Sequence, residues 1–179
     1  MDRPVELIPL LCPHCQTPIP ASPGEVAWVC EQCSNGWSLD QEKGLLQLDV
    51  HYQTGIPQGE IGKPFWVVEA NVNLDRNVYG YGNTAQEVQG TWGKPRRFFV
   101  PAFDCSLETL ISLGPALLRH PPALQEGPPA RFNSVTLPPA DLQPMLEFIV
   151  MAVEAERSDS LKSLQISMQL SPPVLWILP

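Results

Sequence analysis

Apolar and polar residues alternate in short stretches along this chain, and each stretch predicts a β-strand. Residues 26–29 and 37–39 are rich in aromatic and β-branched side chains, and a polar turn at residues 40–43 leads into an alternating stretch at 45–50. Residues 64–72 carry the strongest strand pattern, because aromatic and β-branched residues are concentrated there.

Two stretches show helical periodicity instead. The first follows Asp104 or Ser106, either of which can cap a helix. Its apolar face consists of Leu107, Leu110 and Ile111 and could extend to Leu118. Gly114-Pro115 is expected to break or restart this helix, because proline lacks an amide N–H.

The second helix begins near Asp141 and has the clearer pattern. We expect its buried face to consist of six apolar residues: Leu142, Met145, Leu146, Ile149, Val150 and Val153. Most of its charged residues fall on the other face, where we expect them to be solvated: Glu147, Glu154, Glu156 and Arg157.

Further strands are predicted on both sides of these helices. Residues 96–100 and 164–170 fit half-buried strands, and residues 174–178 are continuously apolar, so that strand must be covered on both faces. The last strand could also be a sheet edge that pairs with a partner. Residues 75–90 are polar and contain several glycines, which predicts a long hairpin loop or two edge strands. The 79–90 part is either a plain turn or a tyrosine-containing binding surface.

These elements predict an α+β protein. An N-terminal β-hairpin module would be followed by a mixed antiparallel sheet with about two helices. Glycine and proline concentrate at residues 51–63, which predicts a linker there. We therefore expect residues 1–50 to form one domain and residues 64–179 the other, a division that suits a chain of 179 residues.

The composition describes a chain that can bury a core but is strongly acidic. Hydrophobic residues make up 44% of it, and its formal net charge is −8 at pH 7. Such a chain gains little from neutralising phosphates, which supplies most non-specific affinity for nucleic acid. Its one basic cluster lies at residues 94–97 and is interpreted as the solvated rim of a strand rather than a phosphate contact.

The sequence also indicates where the protein works. No apolar run approaches the length of a bilayer span, and the first residues lack the basic and apolar regions of a signal peptide. We therefore expect no membrane span and a cytoplasmic location. In such a reducing compartment, paired cysteines favour metal binding over disulfides.

Four cysteines form two Cys-x-x-Cys pairs, Cys12 with Cys15 and Cys30 with Cys33, separated by fourteen residues. Each pair directs two sulfurs at one metal ion, and the intervening chain is long enough for a hairpin that joins the pairs. Four thiolates complete a tetrahedron and leave no open position. The spacing therefore predicts one structural Zn²⁺ per chain, bound by these four cysteines.

Over residues 7–40 these pairs and the strands beside them resemble the zinc-ribbon family of small metal-bound β-hairpins. Many ribbons have glycine directly after the first pair, where this chain has Gln16. Because zinc ribbons often serve in the transcription machinery, the resemblance also implies an alternative function associated with nucleic acid or transcription.

Two other chemistries use Cys-x-x-Cys pairs. Iron of the rubredoxin type is one, although its loop between the pairs is generally longer. A thioredoxin-like redox pair is the other, but it would open a helix, whereas prolines and Gly36 follow the pairs here. His14, inside the first pair, is expected to be exposed, and the fifth cysteine, Cys105, to be a small buried residue.

No catalytic constellation can be read from the sequence. His14, His51 and His120 are far apart, and there is no nucleophile elbow, P-loop or His-Glu-x-x-His motif. We therefore expect no catalytic residues. The function expected is a non-enzymatic zinc-binding adaptor or accessory subunit that mediates protein–protein contacts in a larger assembly. An enzyme that uses the 79–90 region remains a further alternative.

Overall fold

The computed structural model describes residues 10–79, 84–157 and 160–179. Within these residues the fold is α+β, as predicted, with eight strands in two sheets and three α-helices. A 3-10 turn at Pro139–Asp141 precedes the third helix. The elements, in chain order, are β1 (Ala27–Val29), β2 (Gly36–Asp40), β3 (Gly44–Leu48), β4 (Val50–Tyr52), β5 (Lys63–Tyr79), α1 (Thr84–Trp92), β6 (Arg96–Pro101), α2 (Leu107–Arg119), α3 (Leu142–Ala155), β7 (Ser160–Leu170) and β8 (Val174–Leu178).

Residues 10–48 form a small unit, here called the hairpin module, whose three strands are antiparallel in the order β1-β2-β3. The predicted turn between β2 and β3 is confirmed. Asp40 accepts hydrogen bonds from the N–H groups of Glu42 and Lys43, and Gly44 takes a φ of +79° that suits glycine. A short polar side chain and one glycine therefore fix the register of this sheet.

Residues 50–179, here called the main body, are organised around the long strand β5. Ala70 pairs with both Arg96 of β6 and Leu170 of β7, which places β6 and β7 on opposite sides of β5. The strand β8 follows β7 along the same side of β5. The large sheet is mixed, because β4 pairs with β8 in parallel while the other pairs are antiparallel.

The prediction that residues 174–178 could form a free sheet edge is wrong. The strand β8 lies between β4 and β5, so both of its edges are hydrogen-bonded within the chain. Its continuous apolar sequence fits this interior position, since Leu175, Ile177 and Leu178 are buried.

The region at residues 75–90 differs from the predicted hairpin loop or edge strands. The strand β5 continues to Tyr79, and α1 is a third helix that the polar sequence did not reveal. Buried Trp92 anchors α1, because its ring stacks on Phe98 with centroids 6.3 Å apart. Residues 80–83, at the predicted tyrosine-containing tip, lie outside the described residues.

The helix α2 begins at Ser106, whose side chain accepts a hydrogen bond from the Thr109 N–H, so one of the two predicted caps is confirmed. The predicted break at Gly114-Pro115 is wrong, because the helix runs through both residues. The reason is packing: a Cβ on Gly114 would lie only 2.5 Å from Ile149 of α3, so the two helices cross in close contact there.

The helix α3 has the apolar face that was predicted, but its charged residues are not all solvated. Glu154 is only 1% exposed. One of its oxygens accepts a hydrogen bond from Trp92 Nε1 at 2.9 Å, and the other lies 2.9 Å from Arg76 Nε and 2.8 Å from Arg157 Nε. The prediction was wrong for Glu154 because two of its partners, Trp92 of α1 and Arg76 of β5, are far from it in sequence.

The main core lies between the large sheet and the helices, and the hairpin module reaches into it. Ala27 of β1 belongs to this core together with Trp66 and Leu146, and the Val26 N–H donates to the Val135 carbonyl at 2.8 Å. A smaller cluster around Phe65 and Phe99 packs under α2 on the other side of the sheet.

The predicted linker at residues 51–63 has structure of its own. It includes two residues of β4, and the Gln53 N–H donates to the Ile177 carbonyl at 2.8 Å. The division into domains at 1–50 and 64–179 stays a prediction, but the two parts are in direct contact.

Candidate metal centre

The structure brings together the four cysteines that the sequence singled out. All four sulfurs lie within 4.8 Å of one another, with Cys12 and Cys33 3.6 Å apart and Cys15 and Cys30 3.5 Å apart. Four sulfurs at the usual zinc distance of about 2.3 Å would be separated by about 3.8 Å along each edge of a tetrahedron. The observed separations therefore match the donor set of one tetrahedral metal ion.

Each cysteine pair sits in a tight backbone turn, and the two turns are equivalent. The Gln16 N–H donates to the Cys12 carbonyl, and the Ser34 N–H donates to the Cys30 carbonyl, both at 2.8 Å. Gln16 and Ser34 take φ values of 61° and 59°, in the left-handed region that favours glycine. Gln16 thus adopts the conformation for which many zinc ribbons use glycine.

Hydrogen bonds from outside the cysteine pairs support the sulfurs. Asn35 Nδ2 donates to Cys33 Sγ at 3.2 Å, and Thr17 Oγ1 lies 3.4 Å from Cys15 Sγ. The backbone hydrogen bonds of the two turns are also equivalent. The N–H groups of Cys12 and Cys30 each donate to the carbonyl five residues further along the chain, at 2.9 Å. Such partners orient metal ligands and stabilise thiolates.

The cysteine pKa values shift in opposite directions. Hydrogen bonding to Thr17 lowers the pKa of Cys15 to about 6. Backbone N–H groups near Cys33 act to lower the pKa of Cys30, but burial and the neighbouring sulfurs outweigh them and raise it to about 11. Adjacent thiolates repel one another, so the four cannot all ionise at low cost without a cation among them. The electrostatics of the cluster therefore favour a bound metal ion.

The cluster is enclosed by a small group of apolar residues. Cys12 and Cys30 are buried, and they pack with Ile19, Trp28 and Trp37. In contrast, His14 is exposed, as predicted, and does not belong to the four-sulfur cluster. Four sulfur donors would fill a tetrahedral coordination sphere and leave no open position, which suits a structural rather than a catalytic metal.

The other titratable residues do not assemble into a second centre of this kind. Within the described ranges, no other group of three or more histidine, cysteine or acidic side chains is close enough to share a metal ion. His51 stacks on Trp176 with ring centroids 4.9 Å apart, and its Nδ1 lies 2.8 Å from Glu126 Oε1. This pair fastens the segment around Glu126 to the edge of the large sheet.

Sequence reasoning missed a cavity of about 510 Å³ where β6 ends and α2 begins. Cys105 lines it and is half-buried, and burial together with the adjacent Asp104 raises the pKa of this thiol. No sequence signal could have found the cavity, because its walls come from residues near 24, 100–110, 136 and 145.

None of the helices in the described part of the chain combines the length and the apolar character needed to cross a bilayer. Comparison with known proteins finds no matching family model, no similar curated protein and no similar solved structure. The chemistry of the four-cysteine cluster and the surfaces around it therefore provide the basis for a functional argument.

Proposed function

We propose that this chain is a non-enzymatic adaptor or accessory subunit, with a zinc-ribbon-like module at its N-terminal side that binds one structural Zn²⁺. The observation that carries the proposal is the closed set of four sulfurs at Cys12, Cys15, Cys30 and Cys33. A closed site contributes to folding rather than to chemistry, because no position is open for substrate or water.

Zinc would act by holding the hairpin module together. Among the described residues, the apolar cluster there has three large buried members, Ile19, Trp28 and Trp37, with Leu10 and Leu45 partly buried against them. This is too little core to stabilise a unit of this size alone. Metal binding in such modules supplies the free energy of folding that the core lacks. Through Ala27 and the Val26–Val135 hydrogen bond, the module would in turn keep a fixed position on the main body.

The charge of the chain favours protein partners over nucleic acid. Ionising four thiols adds four negative charges and Zn²⁺ adds two positive ones, so the formal charge changes from −8 to −10. The basic cluster is also engaged internally: Arg97 pairs with Glu69 at 3.0 Å, and Arg96 donates to the carbonyls of Leu118 and Thr91. The excess of negative charge over the whole chain therefore disfavours the neutralisation of phosphates.

Metal analysis of the purified chain tests the zinc part of the proposal. We expect one zinc per chain, and we expect substitution with Co²⁺ to give the intense thiolate-to-metal absorption of a tetrahedral four-sulfur site. Cys105→Ser is the matched control, because it removes the cysteine outside the cluster and should leave metal content unchanged. Metal content unaffected by Cys30→Ser, or iron in place of zinc in protein from the native source, would contradict the assignment.

Affinity purification from the native source at moderate salt tests the adaptor part. We expect protein partners in fixed stoichiometry with the zinc-loaded chain, with no dependence on added nuclease. A zinc-loaded chain that elutes alone would contradict the adaptor function. Salt-dependent retention of DNA or RNA would instead support the transcription-associated alternative.

A further inference from the structure

The cavity at the start of α2 has the character of a binding pocket. Its floor is formed by buried Val100 and Leu110, and its walls include Phe103, Leu137 and Met145. Its volume of about 510 Å³ lies within the range of pockets that accept a ligand or a large side chain. Methionine in the wall allows adaptation to the shape of an occupant.

An apolar strip continues from the mouth of this cavity along α2 and α3. Within the described residues, eight large apolar side chains are exposed, and half of them lie on these two helices: Leu107, Ile111, Phe148 and Met151. Leu107 is at the cavity mouth and is 54% exposed. Ile111 lies one turn beyond Leu107, and Phe148 lies one turn beyond Met145 of the cavity wall.

The charges beside this apolar surface are acidic. Asp104 lines the cavity, Glu108 is in the first turn of α2, and no lysine or arginine is among the residues that line the cavity. A second cavity of about 480 Å³ adjoins residues 138–141, and its lining carries Asp40, Glu42 and Asp141 against a single lysine, Lys43. The surface is therefore complementary to a positively charged partner.

The cavity also joins the metal-bound module to the main body. Gly24 of the hairpin module lines it, and so does Thr136, the residue after the Val135 that accepts a hydrogen bond from Val26. An occupant would therefore contact both parts of the molecule, and loosening of the hairpin module would disturb one wall of the cavity.

We propose that this cavity and the apolar strip along α2 and α3 are the docking site for a basic amphipathic segment of the protein partner. One apolar side chain of that segment enters the cavity, its remaining apolar face covers the strip, and its basic residues face Asp104 and Glu108. The proposal rests on the adaptor function and names the surface and the partner chemistry that this function requires.

Cys105 provides a direct test, because it lines the cavity and is the one cysteine outside the four-sulfur cluster. The zinc-loaded full chain is equilibrated with three disulfide probes in competition with mercaptoethanol. The probes are an aromatic disulfide with an ammonium group, its isostere with a carboxylate, and hydroxyethyl disulfide. Peptide mapping then measures the fraction of Cys105 that carries each probe.

We expect that displacing the aromatic ammonium probe from Cys105 requires about tenfold more mercaptoethanol than displacing the hydroxyethyl probe. Burial of an aromatic group increases a binding constant by at least that factor. Leu107→Ala should reduce this preference severalfold, whereas Ile61→Ala, an exposed apolar residue outside the cavity, should not. Asp104→Asn should remove the advantage of ammonium over carboxylate. Glu60→Gln, at an exposed acidic residue that does not line the cavity, should leave it. Equal labelling by all three probes would overturn the proposal.

The purified partner complex separates this proposal from the adaptor function. We expect Leu107→Asp and Ile111→Ser to lower partner recovery at least about tenfold while Ile61→Ser has no effect, because truncation of central apolar contacts dominates interface energetics. Partner recovery unchanged by both substitutions would overturn the docking site and leave the adaptor function standing. A wild-type chain that recovers no partner would overturn both, even if the probes label Cys105 selectively.

Discussion

The hairpin module and the main body are stabilised in different ways. The hairpin module buries five residues around its sulfurs, and two of those five are cysteines of the four-sulfur cluster. The main body buries a continuous core that extends from Trp66 to Ile177 and includes a charged network at Glu154. With a metal ion bound to its sulfurs, as proposed above, the hairpin module would depend on a ligand, whereas the main body depends on the packing of its own residues.

The largest effect expected is loss of the hairpin module when a sulfur ligand is removed. Cys30→Ser removes one donor of a closed tetrahedral site, and zinc binding should weaken by orders of magnitude. We expect amide protection in β1 and β2 to fall by more than about a hundredfold, because these strands have little core of their own. Hydrogen exchange followed by mass spectrometry measures this.

The main body should respond differently in the same experiment. Protection in β5, β6 and β8 should be retained, with a local decrease near Val135, which loses its hydrogen bond from Val26. Treating the wild-type chain with a strong chelator should give the same pattern. Unchanged protection of β1 in either sample would show that the module folds without metal and would remove the contrast between the two regions.

The next effect concerns the main body alone. Glu154→Gln removes the buried negative charge that faces Arg76 and Arg157, and breaking a buried ion pair typically costs about 3–5 kcal/mol. We expect the free energy of unfolding, measured in urea with zinc bound, to fall by about that amount while metal content stays constant.

Glu156→Gln is the matched control for that experiment. Glu156 lies two residues further along and pairs with Arg119 at the surface, where ion pairs contribute at most about 1 kcal/mol. If Glu154→Gln lowered the free energy of unfolding by no more than Glu156→Gln does, that result would contradict the stabilising role of the buried network.

The two regions also differ in how much of their structure can be predicted from the sequence. The clustering of the four cysteines could be predicted, because Cys-x-x-Cys pairs are local patterns and each pair needs only a tight turn. In the main body, most of the strands, the Ser106 cap and the apolar face of α3 could be predicted from local patterns as well. The buried state of Glu154 could not, since it depends on Trp92 and Arg76, which are distant in sequence.

The same distinction explains the other errors. The helix α1 is anchored by buried Trp92 in a stretch whose sequence is mostly polar, so its hydrophobic periodicity is weak. The helix α2 continues through Pro115 because Gly114 gains close contact with α3, which no pattern within α2 reveals. The interior position of β8 depends on β4, a strand of three residues in the predicted linker. Each of these features is decided by tertiary contacts that outweigh local propensity.

A moderate effect is expected from filling the close contact between α2 and α3. Gly114→Ala would place a Cβ 2.5 Å from Ile149, and overpacking of this kind costs about 1–3 kcal/mol. Gly90→Ala in α1 is the control, because a Cβ there meets nothing within 4 Å and alanine favours helix by about 1 kcal/mol. Thermal unfolding should therefore shift in opposite directions for the two variants. A gain of stability at both sites would show that the helices can separate without cost.

The smallest effect should come from the left-handed residues of the metal-binding turns. Gln16 holds a φ of 61°, which costs a side chain about 1 kcal/mol relative to glycine, so Gln16→Gly should strengthen zinc binding by up to about fivefold. Ser34→Gly should act in the same way in the second turn. Gln32→Gly is the control, because Gln32 lies outside the left-handed region and glycine there only adds freedom to the unfolded chain.

Competition with a chromogenic zinc chelator measures the zinc affinities of all three variants. Stronger binding by Gln16→Gly and Ser34→Gly, with weaker binding by Gln32→Gly, would show that the metal stabilises a strained backbone in the hairpin module. Equal affinities would mean that the two turns are strain-free and that the module differs from the main body in its ligand alone.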